Sequence, residues 1–468
     1  MINIDVRSTH KEYDKHLKMW AMCRAASAGE HAVHEAREIY LPRLLGEDEQ
    51  SYALRIKMTP FFNATWRTIS GLRGMLFRKE PDYECEENVS EMMDDIDLAG
   101  TSMEMIAKEL AQECLTVGRA GLMTDYPTVP EGSTMMAAET AGYRASIQLY
   151  KCENVYNWKT TRYGSVTVLS EVRLQEEYYI ETDNEWETKY AKQYRVLDLV
   201  DGKYRQRIYR SDQFDNPPEQ YEGDIYPTLS NGENLDYIPF VFVGVDTVGP
   251  EVALPPLLDL ITTNFHHYMQ ATSYERGCFF SGLPTMFIYG HDAEAEGSAE
   301  IKIGGKAANS MPNPQTKAEW LEVQSEFRAL RTNLEDKKSE MAVLGARMLE
   351  SQKSGVESAE ALARRQNGEE SLLADMSGTL SEGIERALQW LSNWQGNTSD
   401  VEYHINQDFL PAAMDSTQLT ALVSAWQMGA ISQETLFDNM KAGEVVGVDT
   451  TFEQEQERIN GRLTGMAE

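Results

Sequence analysis

The sequence predicts an α+β fold, in which helical and β regions follow one another in blocks along the chain. Helical spacing of apolar residues recurs over residues 1–80 and again over residues 320–394. Between them, residues 143–237 hold 13 of the 22 tyrosines, mixed with Val, Ile and Thr and divided by turn residues. Aromatic and β-branched residues favour strands, whereas an apolar residue every three or four positions favours helices. Such segregation is typical of α+β architecture.

Length and composition indicate a folded protein with a sizeable core. The 468 residues are enough for two or three domains, and 41% hydrophobic content suits a globular chain. No apolar run approaches the roughly 18 residues of a membrane span, so we expect no membrane contact. The start of the chain lacks a secretory signal, which predicts assembly in the cytoplasm. The five cysteines include no CxxC pair and predict neither disulfides nor a zinc site.

Charge is unevenly distributed along a strongly acidic chain. The formal net charge is −32, which argues against a surface built to grip nucleic acid tightly. Residues 80–97 carry nine acids and no Lys or Arg, whereas residues 301–365 hold eleven Lys and Arg against nine Asp and Glu. The structural interpretation of the balanced region is that solvated helix faces happen to balance there.

In the N-terminal half the pattern predicts three helical segments and two strands outside the tyrosine-rich block. Pro42 and Pro60 punctuate the first helices, while Thr101 or Ser102 caps the third and Gly118 ends it. The predicted helices span residues 13–28, 52–77 and 103–117, and the strands span 119–126 and 238–245.

In the C-terminal half, Pro255 and Pro256 start a helix over residues 257–280, and a short strand follows at 285–289. One of the adjacent His266 and His267 is expected to pack and the other to face solvent. Shorter elements are predicted after residue 396, namely a strand at 401–409, helices at 416–428 and 432–440, and a helical tail around 452–463.

Two arms of heptad spacing are the most informative feature of the sequence. They are predicted as helices over residues 320–350 and 359–394, separated by the polar break 351–355. Such a seam packs either against other helices of an assembly or inside one core. The first arm contains Trp320, Val323, Phe327, Leu330, Leu334, Met341, Leu344 and Met348, and the second contains Leu373, Met376, Leu380, Ile384, Ala387, Leu391 and Trp394.

Motifs of nucleotide binding and hydrolysis are absent from the sequence. Gly304-Gly305-Lys306 lacks the remainder of a phosphate loop, and GxSxG and HExxH do not occur. His31 and His34 share a helix face without a third ligand, and Asp94-Asp95 lack the spacing that wraps a cation. We therefore expect no catalytic residue, metal or cofactor, although scattered carboxylates leave a metal-dependent DNA-processing enzyme as an alternative.

Lys353, Arg364 and Arg365 flank Gly355 in this otherwise acidic chain. In a ring of copies these residues would make a belt of positive charge. Their structural alternative is pairing with Glu357 and Glu360 along a helix.

Four blocks in chain order resemble a portal family of tailed bacteriophages that was long catalogued only as a domain of unknown function. The residues that carry the resemblance are Asn63-Ala64-Thr65-Trp66-Arg67-Thr68 with 71–79, Pro255-Pro256-Leu257-Leu258-Asp259-Leu260 through 267–268 to 280–285, Ser358-Ala359-Glu360-Ala361 through 369–370 with 387–390, and Gly429-Ala430-Ile431-Ser432-Gln433-Glu434-Thr435-Leu436. The acidic run after Lys79 departs from the family, and its role is left open.

The resemblance implies a portal fold with an α/β wing, a two-helix stem, a small β-containing clip, a tunnel loop with a long helix behind it, and a helical crown. The implied layout is wing 1–254, first stem helix 255–281, clip 282–318, second stem helix 319–350, tunnel loop 351–358, long helix 359–396, wing strand 397–412 and crown 413–468.

The resemblance also implies what the protein does. A ring of about twelve copies would occupy one capsid vertex of the virion and pass double-stranded DNA without sequence preference during packaging and ejection. The implied partners are major capsid and scaffold proteins, the terminase large subunit and the head–tail adaptor. The implied sites are the tunnel loop with its flank (Gln352, Lys353, Ser354, Gly355, Arg364, Arg365), the stem seam (Phe327, Leu330, Leu334, Met341, Leu344) and clip docking (Ile301, Lys302, Lys306).

The resemblance implies no enzymatic activity, because ATP hydrolysis belongs to the separate terminase in this family. Another head–tail ring, such as an adaptor, is the closest alternative.

Overall fold

The structure is a computed structural model in which α-helices and antiparallel β-sheets are mixed. It describes residues 5–125, 143–180, 186–211, 218–221, 223–229, 231–282, 285–289, 317–321, 327–346, 359–407, 416–428, 430–442 and 450–456. Two compact units divide the chain: the first comprises 1–73 with 83–404, and the second comprises 74–82 with 405–468.

The chain begins with helices, but the predicted helical segment 52–77 is divided into two helices by residues 59–63, and residues 74–76 of the second of these belong to the second unit. Asn63 starts the fourth helix by accepting a hydrogen bond from the Trp66 amide, and Pro60 lies in the break before it. These helices are α1 (Lys11–Ala28), α2 (Glu30–Glu35), α3 (Glu49–Met58) and α4 (Ala64–Leu76).

The acidic run forms a strand, a short helix and loops, and a longer helix follows it. Ser102 caps that helix by accepting from the Met105 amide, and Gly118 ends it at φ +90°, as predicted. The elements are β1 (Asp82–Glu84), α5 (Glu87–Ser90) and α6 (Met103–Val117).

The tyrosine-rich block and its flanks form two antiparallel sheets. A three-stranded sheet has the order β3-β2-β9, and a five-stranded sheet has the order β4-β5-β6-β7-β8. The strands are β2 (Arg119–Asp125), β3 (Ser146–Lys151), β4 (Val155–Tyr163), β5 (Val166–Ile180), β6 (Lys189–Val200), β7 (Lys203–Arg210), β8 (Glu219–Gln220) and β9 (Phe240–Gly244).

Long helices dominate the remainder of the first unit. They are α7 (Leu258–Gly282), α8 (Arg328–Met341) and α9 (Ala359–Trp394), and a short antiparallel pair of strands, β10 (Thr285–Tyr289) and β11 (Lys317–Leu321), lies between α7 and α8 in sequence. The strand β12 (Glu402–His404) pairs with β1. Within the described residues, no helix is both long enough and apolar enough to cross a membrane.

The second unit contains the helices α10 (Ser416–Gln427) and α11 (Gln433–Ala442), close to the predicted bounds, and residues 452–456 are also helical, as predicted. Phe437 on α11 is buried and meets Phe452 edge to face at 5.5 Å between ring centroids. The Ser432 hydroxyl accepts from the Thr435 amide at the start of α11.

The first heptad arm is shorter than predicted. Trp320 lies on β11 opposite Met286, and the helix begins only at Arg328. In residues 317–321 the backbone N–H and C=O groups pair with a neighbouring strand. The spacing of apolar residues along the sequence gives no information on such pairing. At the other end, Gly345 adopts φ +115° within a π-helical turn, which interrupts regular helical geometry at that residue, and the predicted residues 347–350 lie outside the described residues.

Candidate functional site

The helices α7 and α8 form an antiparallel pair that is fixed to the start of α4. Phe327 precedes α8 and meets Gly277 near the end of α7, while Met341 at the end of α8 meets Leu260 at the start of α7. The pair also contains the stem residues that the sequence singled out. The packing of these two helices therefore determines how far the predicted stem residues are buried.

A buried asparagine joins α7 to the first of the resembling blocks. The Asn264 side-chain oxygen accepts from the Thr65 amide at 3.3 Å and from the Thr65 hydroxyl at 3.1 Å. Its amide nitrogen donates to the Phe62 carbonyl at 2.8 Å. Asn264 and Thr65 are wholly buried. The loss of any of these hydrogen bonds would therefore leave a buried polar group without a partner. This asparagine fixes the register of α7 against α4.

The two ends of α8 are held by different contacts. Met341 is buried with Ala64 and Leu260, and Phe62 and Leu344 pack against this cluster. At the start of α8, a Cβ added to Gly277 would lie 2.8 Å from the Phe327 ring. Any larger residue at position 277 would therefore displace that ring.

His267 lies between these contacts and is 5% exposed. Its ring centroid is 5.7 Å from that of Phe62, and neither ring nitrogen has a hydrogen-bond partner among the described residues. Burial, with a smaller contribution from the Lys338 ammonium, lowers the pKa of His267 to about 4. His266 is exposed, which confirms that one histidine of the pair packs and the other faces solvent.

The remainder of α8 is incompletely covered. Leu330 and Leu334 on α8 are half-buried, as is Leu344 in the π-helical turn after it, where Val343 is 66% exposed. Between residues 328 and 341 the helix carries four Lys and Arg against three Asp and Glu, in a chain of net charge −32. Some of these charges pair along the helix, as Arg331 does with Glu335 at 3.0 Å. A partly open apolar stripe with balanced charge suits packing against another protein surface.

The five predicted stem-seam residues lie along α8 and just beyond its two ends, and among them Met341 and Leu344 share one cluster. Of these only Met341 is buried, while Phe327, Leu330, Leu334 and Leu344 are half-buried. The predicted tunnel-loop residues Gln352, Lys353, Ser354 and Gly355 and the predicted clip residues Ile301, Lys302 and Lys306 lie outside the described residues. Arg364 and Arg365 lie in the first turns of α9, and their side chains are likewise outside the description.

The carboxylates of the acidic run serve local structure. Asp97 accepts from the amides of Ala99 and Thr101 at 2.8 and 3.0 Å. Asp95 accepts from the Gly100 amide and pairs with Arg144. Within the described ranges, no group of three or more His, Cys, Asp or Glu is placed to hold a metal ion.

Asn264 and Gly277 were missed by sequence reasoning. Asn264 is a polar residue on the buried face of a helix, which is a detectable signal once the apolar face has been traced. Gly277 gives no such signal, because its role depends on Phe327, 50 positions away.

Comparison with known proteins gives one family match. A family described as a domain of unknown function, DUF4055, matches residues 256–395, which span α7 to α9 and cover less than half of the chain. No curated protein matches the chain.

Among solved structures, a chain from the neck of an empty gene transfer agent particle, computed with C6 symmetry, is 12% identical with a TM-score of 0.40. That match covers 84% of this chain and 94% of the other. A chain from the virion of the native gene transfer agent particle is also 12% identical with a TM-score of 0.39, covering 86% and 96%. Both TM-scores are too low to assign the fold of this chain.

Proposed function

We propose that the protein is a phage portal, a ring at one capsid vertex through which DNA is packaged and later ejected. The observation that carries the proposal is the antiparallel pair α7–α8, which flanks the strands β10 and β11 in sequence and has an apolar stripe that the described residues only half cover. Two stem helices around a β-containing clip are what the resemblance implies. The open stripe supports packing between copies.

Contacts between the resembling blocks support the proposal further. Asn264 in the second block binds Thr65 and the Phe62 carbonyl at the first block, so these segments form one structural unit. The DUF4055 match begins at the second block and extends beyond the third block to residue 395. Residues that are distant in sequence are therefore in contact in this region. A portal whose stem helix is attached to its wing requires such contacts.

The charge distribution suits the passage of DNA. Tight neutralisation of phosphates would stall a moving duplex, whereas an acidic chain holds it weakly. The more balanced segment, residues 301–365, includes α8 and the proposed tunnel loop. In the proposed ring, a mostly acidic channel wall lets the duplex slide, and the balanced segment centres it at the constriction.

In this proposal the portal is not an enzyme, and terminase supplies the work of packaging. The proposed partners are capsid and scaffold proteins around the wing, and terminase and then the head–tail adaptor at the clip. The virion is the proposed location.

Electron microscopy of the purified full-length protein tests the proposal. We expect rings with a central channel and a single dominant copy number, and light scattering should give the matching mass. A protein that remains monomeric or dimeric across protein concentration and salt would contradict the proposal.

A DNA-processing enzyme is tested in the same preparation. Incubation of plasmid DNA with Mg²⁺ or Mn²⁺ should give no cleavage above that of an Asp94→Asn/Asp95→Asn variant. Cleavage that this variant loses would support the enzyme instead.

A further inference from the structure

Two exposed cations from distant parts of the sequence lie over one aromatic ring. The guanidinium carbon of Arg67 on α4 is 5.6 Å from the centroid of the Phe62 ring, and the Lys338 ammonium on α8 is 5.1 Å from it. Arg67 and Lys338 are both exposed, and Phe62 is half-buried. We call Arg67 and Lys338 the cation pair. The face of an aromatic ring attracts cations, so Phe62 holds both charges at the surface.

No carboxylate binds the cation pair within the described part of the chain, where neither member forms an ion pair or a side-chain hydrogen bond. Acids near the lysine of the pair have other partners: Glu335 pairs with Arg331 at 3.0 Å, and Glu340 pairs with Lys337 at 2.9 Å. Asp336 is two positions away, and residues at that spacing do not face each other on a helix. Two like charges are therefore held together without a counter-charge.

His267 supports the same conclusion from inside the helix pair α7–α8. It is 5% exposed, and its ring centroid is 5.7 Å from that of Phe62. Burial lowers the pKa of His267 and the Lys338 ammonium lowers it further, whereas a carboxylate nearby would raise it. The electrostatic environment around Phe62 is therefore positive.

The sequence around Arg67 contains no acid that could pair with it locally. Residues 50–79 hold six Lys and Arg and no Asp or Glu, in a chain with 75 acids among 468 residues. This stretch includes α4 and the first of the resembling blocks. A counter-charge for Arg67 must therefore come from a distant segment or from another molecule.

We propose that the cation pair binds phosphate groups of the DNA backbone. A guanidinium binds phosphate through paired hydrogen bonds, and an ammonium binds it as a point charge. Each DNA strand carries one phosphate per about 3.4 Å of helix axis, so a backbone supplies charge to both cations, whereas a single carboxylate would neutralise only one. This inference rests on the proposed function, and it names Arg67 and Lys338 as residues that contact the duplex.

Two contacts per copy suit a duplex that must keep moving. Phosphate contacts carry no sequence information, and salt weakens them because binding releases counterions. The rest of this acidic chain repels DNA. Binding through the cation pair should therefore be weak, independent of sequence and strongly dependent on salt.

Replacement of both cations by glutamine tests the proposal. The full-length protein is titrated into a short, fluorescently labelled DNA duplex at low salt, and fluorescence anisotropy reports binding. Arg67→Gln/Lys338→Gln should weaken binding of every duplex sequence roughly tenfold or more. The slope of log affinity against log salt concentration should become less steep by about 2 for each copy that contacts the duplex.

Two further variants separate a phosphate contact from a change in net charge or in folding. Lys159→Gln/Lys189→Gln removes the same charge from two exposed lysines on β4 and β6, and it should bind DNA like the wild type. Arg67→Lys/Lys338→Arg keeps both charges and should retain most of the binding. Thermal melts of all three variants show whether each remains folded.

The outcomes distinguish this inference from the proposed ring. If wild type binds no duplex at low salt, or if Arg67→Gln/Lys338→Gln binds equally well, the cation pair is not a DNA contact and the ring is unaffected. If that variant binds DNA normally but needs more protein to form rings, the pair instead meets an acidic surface of a neighbouring copy. If wild type binds DNA through the pair but never forms rings, the phosphate site stands and the portal proposal fails.

Discussion

The two heptad arms have the same spacing in sequence but very different burial in the structure. In α9, the seven seam residues from Leu373 to Trp394 are at most 5% exposed. In α8, Met341 is 1% exposed, whereas Leu330 and Leu334 are only half-buried. The spacing thus identified the apolar face of each helix, but it gave no information on what covers that face.

The arm in α9 is covered by a sheet of its own chain. The helix packs on β2 and β9, where the Thr124 hydroxyl donates to the Ala387 carbonyl at 2.9 Å and Tyr237 stacks on Trp390. A Cβ added to Gly383 would lie 2.4 Å from a methyl group of Val243, so helix and strand approach closely. The arm in α8 has α7 on one side and no comparable cover on the other within the described residues. Complete cover within the chain indicates a structural role for α9, whereas the partial cover of α8 by the described residues is consistent with the proposed packing between copies.

The largest expected effect comes from truncating one leucine in each arm. Leu380→Ala in α9 should lower the free energy of unfolding by about 3 kcal/mol, because it leaves a cavity at a wholly buried site. Leu330→Ala in α8 should cost about 1 kcal/mol or less in the unassembled chain, yet weaken assembly. Urea denaturation and light scattering measure the two quantities. Equal losses of stability would mean that α8 is as well covered as α9.

A pair of glycine substitutions in α9 tests how closely its seam is packed. Gly383→Ala should destabilise the chain by about 1–3 kcal/mol, because the new methyl group overlaps Val243 on β9. Gly378→Ala is the matched control, since a Cβ there meets nothing within 4 Å and should stabilise the helix by about 0.5–1 kcal/mol. Thermal melts of both variants check the difference. A neutral Gly383→Ala would show that α9 and β9 can separate without cost.

Acidification should loosen the α8 region more than α9. Burial holds the pKa of His267 at about 4, below its ordinary value of 6.5, so the unfolded chain binds a proton that the folded chain excludes. The stability that neutral His267 contributes is therefore fully present above pH 6.5. It falls as the pH drops toward 4, by about 1 kcal/mol at pH 5.5.

Denaturation at several pH values checks this expectation. His267→Leu should remove this part of the pH dependence, whereas His31→Leu should not, because His31 is exposed. If the stability of His267→Leu depended on pH as the wild type does, another group would be responsible for the pH dependence.

The smallest effect on stability is expected at the proposed tunnel loop. Lys353→Glu should leave folding and ring formation intact, because in the proposed ring this residue faces the channel, where a charge contributes little to either. It should reduce DNA packaging, since the repulsion acts where the duplex passes closest in the proposed channel. Lys15→Glu makes the same charge change on the exposed face of α1 and should package normally. Normal DNA packaging by Lys353→Glu would show that the charge of Lys353 has no role in packaging.

Local sequence signals predicted most elements of the fold. Gly118 and Ser102 bound α6 as expected, because caps and glycine turns depend on a few neighbouring residues. The prediction at Trp320 was wrong because its secondary structure depends on a segment that is distant in sequence. Its heptad position favoured a helix, but pairing with β10 across at least 27 intervening residues placed it on a strand. The candidate site divides in the same way: the apolar stripe of α8 was predicted, whereas Asn264 and Gly277 acquire their roles from Thr65 and Phe327.

The sequence by itself determined the α+β class, the apolar faces of α8 and α9, the absence of nucleotide-binding motifs and the uneven charge. These follow from composition and from spacing over a few turns of chain. The tertiary structure alone decided that α9 is enclosed by β2 and β9, while α8 is partly open among the described residues. Burial depends on which distant segments meet, and that is a property of the folded chain rather than of any local pattern.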